Sequence, residues 1–170
     1  FYDSPLPSRE DFAREAVRGS FSLEERPGDR KSFLPAPLFL ETDFWINLPV
    51  FFAHRAFGVS GALANASVWS VSNHLRFLDN PANAPVAITE IAAIPELKES
   101  WVFTLASLEA YQIIGGARFN ANYVESEPVL WLSANPVALD YLAWLRINFH
   151  RKERDFPPIE PRPLIYEYAR

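Results

Sequence analysis

At 170 residues, 49% hydrophobic and 15% aromatic, the chain is long enough for one packed core and too apolar for a disordered segment. A formal net charge of −5 argues against a nucleic-acid partner, because phosphate binding relies on clustered Lys and Arg. The absence of cysteine excludes disulfides, thiolate catalysis and cysteine-ligated zinc or iron–sulphur clusters within the chain.

There is also no methionine, and the chain opens on Phe1, so it is expected to be a fragment or a processed product. The longest apolar stretch, 44–53, is interrupted by Asn47 and Pro49 and falls short of the ~20 residues needed to span a bilayer. No transmembrane segment is therefore expected, and the domain is read as soluble.

In chain order, Ser8 ahead of Arg9, Glu10 and Asp11 predicts a helix start, with an apolar stripe through Phe12, Ala13 and Ala16 and a stop at Gly19. Residues 24–36 carry charges with Pro27, Gly28 and Pro35 and read as a loop or extended connection. The chain thus divides into an N-terminal helix and connection over 1–36 and a core domain over 37–170. In that core, 44–48 is a short buried strand bounded by Asp43 and Pro49. The stretch 61–69 reads as a helix with Leu63, Ala66 and Val68 or Trp69 inward, and 84–94 as a second helix stopped by Pro95.

Residues 101–106 form a continuous apolar strand, Gly115-Gly116 a turn, 120–128 a polar loop and 129–134 a third buried strand. Asn135 is an N-cap residue, and Pro136 stands at the first helical position, where its missing N–H costs nothing. Ala138, Leu142, Leu145 and Phe149 then repeat at helical spacing to about residue 150. Arg151, Lys152 and Arg154 follow, read as cations complementing the helix dipole. Pro157, Pro158, Pro161 and Pro163 impose an extended segment before a short helix over 164–169. Apolar strands alternating with helices define an α/β fold, a buried mainly parallel or mixed sheet with helices on both faces, in one domain.

In open α/β sheets ligands gather beyond the carboxyl ends of strands. The junction after the first strand is the richest in polar groups: Asn47, His54, Arg55, Gly58, Ser60, Gly61 and Asn65. Gly58 to Gly61 entering a helix either aims backbone N–H groups at an anion, with His54 or Arg55 adding charge, or serves only as a tight turn. Later junctions offer Ser107, Glu109 and Tyr111, then Ser133, Asn135 and Asp140. Asp140, one turn into its helix, either stabilises the helix start or reaches back over the strand ends. The three histidines, His54, His74 and His150, show no metal-ligand spacing, so no metal site is expected. A triad of Ser60, His54 and Asp140 lacks any nucleophile-elbow sequence.

Residues 43–49, His54 and 58–65, followed in order by Asn73, Arg76-Phe77, Ile88-Thr89-Glu90-Ile91, Pro95-Glu96-Leu97, Gly115-Gly116 and 135–140, resemble a bacterial and archaeal family. It is a domain of unknown function that often occurs beside ferredoxin-type iron–sulphur modules. The resemblance covers roughly 37–170 and implies a further α/β portion upstream. Family members commonly carry lysines where this chain has Val50, Phe52 and Ala64, and acids where it has Ser107 and Asn135; Asn47, His54, Asn65, Asn73, Arg76 and Asp140 remain. Three functions follow as expectations: a small polar or anionic ligand bound at the strand ends, acid–base catalysis by His54 and Asp140, or an accessory role beside an iron–sulphur electron-transfer protein. The cofactor is left unassigned.

Overall fold

The computed structural model describes residues 32–35, 41–78, 83–160, 163 and 165–168, the side chains of 76, 167 and 168 excepted. The helix expected from Ser8 to Gly19 and most of the connection to residue 36 lie outside the described residues.

Among the described residues, two small sheets share one mixed α/β domain. The first has the order β1–β4–β7, formed by Trp45–Asn47, Trp101–Ser107 and Leu130–Ser133. β1 runs parallel to β4, and β7 antiparallel to it. The second sheet orders β3 (Gly58–Ser60), β2 (Phe52–His54), β5 (Tyr111–Gln112) and β6 (Val124–Glu125), with β2 parallel to β5 and the other pairs antiparallel. The helices are α1 (Ala62–Ala66), α2 (Leu75–Leu78), α3 (Ala84–Ala92), α4 (Pro95–Ser100), α5 (Pro136–Glu153) and α6 (Ile165–Tyr168). Pro95 does more than stop a helix: it opens α4 at the position where proline is tolerated.

Asn135 caps α5 as its type predicts, its side-chain oxygen accepting from the Ala138 N–H at 3.1 Å. The inward face of α5 is not the predicted one. Leu139, Asp140, Ala143 and Ile147 are buried, whereas Leu142, Leu145 and Phe149 are exposed. Small residues decide the rotation, since Asp140 and Ala143 let α5 approach the alanine-rich α1, whose Ala62, Ala64 and Ala66 are buried. The core lies in two clusters, one around Ile88, Ile91 and Leu63, the other around Phe51, Ile113 and Ile147.

Coverage of the first sheet is uneven. Its inner face carries Asn47, Thr104 and Ala106, all buried. Register puts Ile46 beside Phe103 and Leu105 beside Leu132 on the other face, where Ile46, Leu130 and Leu132 stand open to solvent. β7 is therefore an edge strand half-buried on one side and open on the other, rather than the two-sided buried strand its composition predicts.

Candidate functional site

The β2–β3 hairpin, absent from the sequence reading, turns at Gly58, whose φ of +83° suits glycine. Close approach matters there as well, because a Cβ on Gly58 would stand 2.4 Å from Pro163 Cγ. The hairpin, the 114–118 loop, residues 158–160 and Pro163 line an open cleft of about 1060 Å³. Its charged and ionisable walls are His54, Arg55, Arg118, Arg151 and Glu160. Among the described residues that line it, three are guanidinium groups and one is a carboxylate.

Arg151, at the end of α5, donates from Nε to Pro157 O at 2.7 Å and from Nη1 to Ile113 O at 2.8 Å. Burial depresses its pKa, the mark of a cation that has lost water. His54 stacks on Phe57 with ring centroids 4.1 Å apart, and its Nδ1 accepts from the Ala56 N–H at 3.2 Å. Acceptance at Nδ1 leaves the ring proton on Nε2. Burial and then the nearby Arg55 charge lower its pKa to about 4, so it is neutral at pH 7.

The loop carrying Arg118 is held from beneath by Gln112. This buried amide donates to Gly116 O and Arg118 O, both at 2.9 Å, and accepts from the Asn120 N–H at 2.7 Å. Gly115 and Gly116, at φ +108° and +67°, let the backbone turn over that amide.

Of the residues singled out from sequence, His54, Arg55 and Gly58 meet in this cleft, together with Gly115 and Gly116. Most of the others are engaged in the fold. Asn47 donates to Ala62 O at 2.8 Å and accepts from Asn65 Nδ2 at 2.6 Å. Ser60 accepts from Trp69 Nε1 at 2.8 Å. Asn135 is the α5 cap, Asn73 lies in an exposed turn at φ +52°, and the Arg76 side chain is outside the described residues.

Asp140 is also taken up by the fold. It is buried on α5 and caps α1 from across the domain, Oδ1 accepting from the Ala62 N–H at 2.5 Å and Oδ2 from the Leu63 N–H at 3.0 Å. Burial pushes its pKa up to about 7, against the pull of those two donors. It is absent from the lining of the cleft that His54 faces, and both its oxygens are taken by the start of α1. Gly61 is small for the same reason: a Cβ there would stand 2.2 Å from Asp140 Oδ1 and 2.7 Å from the Phe51 ring.

A second polar cluster, also missed, ties the β6–β7 connection to α5. Glu127 receives Arg146 on both oxygens, with Nε at 2.7 Å and Nη2 at 2.5 Å, and the Tyr111 hydroxyl as well. The Arg146 hydrogen bonds draw the Glu127 pKa down to about 2. With three hydrogen bonds from two elements converging on one carboxylate, this cluster is a brace.

Arg118 and Arg151 had no local signature as ligand residues. The first sits alone in a loop, and the second read as a helix-end cation. Among the described residues no group of three His, Cys, Asp or Glu is placed to hold a metal ion, and no helix is long and apolar enough to cross a membrane. Fold and cleft together define a mixed α/β domain with an arginine-lined cleft. No family model, curated protein or solved structure matches the chain.

Proposed function

We propose that the domain binds a small anionic metabolite in the cleft between the β2–β3 hairpin and the 114–118 loop. The observation that carries this reading is Arg151, a partly desolvated guanidinium held by backbone carbonyls, facing the same cavity as Arg55 and Arg118. A partly desolvated cation gains from an incoming carboxylate or phosphate, which adds opposite charge and charge-assisted hydrogen bonds to those the two carbonyls already accept. The cavity suits a metabolite, since small-molecule sites run from about 300 to 1,000 Å³. Neutral His54 contributes an N–H donor without adding charge. This is the ligand-binding function expected from the sequence, with His54 and Arg55 kept in the site and Arg118 and Arg151 added to it.

The test is thermal unfolding of the intact chain against phosphate, pyrophosphate and di- and tricarboxylates. At 100 times its dissociation constant a binder adds about 2.7 kcal/mol, which for a chain of this size raises Tm by about 5–10 °C. Arg55→Ala combined with Arg118→Ala removes two exposed side chains and should abolish the shift while leaving the unliganded Tm unchanged. A bound anion should also raise the His54 pKa from about 4, read by NMR titration. No Tm response to any of these anions, or an equal response in the double variant, refutes the proposal.

A further inference from the structure

The outer face of the β1–β4–β7 sheet is apolar apart from Ser107, which stands opposite Leu130 at one end. Ile46 on β1 and Leu130 and Leu132 on the opposite edge strand point outward, and Phe44, Leu48 and Val50, which alternate with buried or half-buried residues on either side of Ile46 just outside β1, are exposed as well; these six are between 42% and 67% exposed. Phe103 and Leu105 on the central strand join them through the pairs Ile46↔Phe103 and Leu105↔Leu132. None of the eight side chains carries charge, in a chain whose net charge is −5. An exposed sheet face normally alternates polar residues outward, and two-sided apolar strands belong to sheets covered on both faces.

We propose that a second copy of this chain covers this face, the two sheets packing against each other about a two-fold axis. The area supports it. Each of the six exposed side chains offers roughly 60–100 Å² of apolar surface. One face therefore presents on the order of 500 Å², near the upper limit for a monomer. Two such faces with their central-strand and flanking atoms bury about 1,200 Å² or more, the threshold of a specific interface. Charge supports it too, because self-pairing brings no like charges together at the centre of the contact despite the acidic chain. A pleated face is its own complement in an isologous contact, with sheets about 10 Å apart and strands within about 30°.

The test is mass in solution by sedimentation velocity across a wide dilution series. The full chain should sediment at twice its 19.4 kDa. Leu132→Glu and Leu48→Glu, at opposite edges of this face, should each return it to the monomer with wild-type circular dichroism. Leu142→Glu, on the exposed stripe of α5, should leave the dimer intact. A folded wild-type monomer at every concentration overturns the proposal, whether the face then lies open or is covered by another part of the chain. Aggregates of no fixed stoichiometry overturn it as well, and so does dissociation by Leu142→Glu in place of the two sheet variants.

Discussion

Replacing Asp140 with alanine tests the central packing of the domain. Its two oxygens hold the first two N–H groups of α1, Ala62 at 2.5 Å and Leu63 at 3.0 Å, in a place closed to water. An N-cap is worth about 0.5–2 kcal/mol. A second donor left buried without a partner costs about 1–3 kcal/mol more. Loss of the desolvated carboxylate gives part of this back, so Asp140→Ala should cost about 3 kcal/mol. Urea unfolding would show this as a lower midpoint at unchanged slope, and heating as a Tm lower by about 6–12 °C. The penalty also depends on pH. Between the unfolded value of 3.8 and about 7 the folded chain keeps a proton that the unfolded chain releases. Wild-type stability from this group therefore declines as pH rises through that window, and the penalty of Asp140→Ala shrinks with it. A cost below about 0.5 kcal/mol would refute the view that this carboxylate holds the start of α1.

Three further outcomes follow from the same geometry. Gly61→Ala places a methyl against Asp140 Oδ1 and the Phe51 ring and should destabilise by about 2 kcal/mol, read by urea unfolding; a neutral effect would contradict the close approach described. Because the His54 pKa is lowered to about 4, its stabilisation is complete above 6.5 and is lost as pH falls from 6.5 to about 4. The shift alone corresponds to about 3 kcal/mol and, discounted for partial solvation of the ring, to about 1–2 kcal/mol; His54→Asn should flatten that part of the stability profile, and equal slopes would show the ring is not responsible. Gln112→Ala removes the amide beneath the 116–120 loop and should cost about 1–2 kcal/mol while speeding amide exchange at Asn120; unchanged exchange would mean the loop is held by other contacts.

Local signals in the sequence were reliable where one residue's chemistry decides a conformation. Asn135 and Pro136 open α5 in the structure as their types require, and the apolar run at 101–106 is β4 almost residue for residue. The β2–β3 hairpin could not be read, because its three-residue strands depend on β5, some sixty residues later in the chain, to make a sheet. Nor could the inward face of α5 be read from spacing. Two interleaved stripes satisfy the same period, and the choice fell to the one small enough to meet α1. Polar residues at the strand ends divided by partner. Asn47, Ser60, Asn65 and Asp140 found backbone or side-chain partners inside the fold, while Arg118 and Arg151, far apart in sequence, came together only in three dimensions.

The reach of Asp140 also sets a clock on synthesis. The carboxylate that secures Ala62 stands 78 residues further along the chain. At a translation rate of about 5–20 residues per second, the start of α1 waits roughly 4–16 seconds for that group to be made. Through that interval the emerging chain holds an alanine-rich segment with no fixed beginning. The first half of the core therefore lacks this contact with the second until residue 140 has been made.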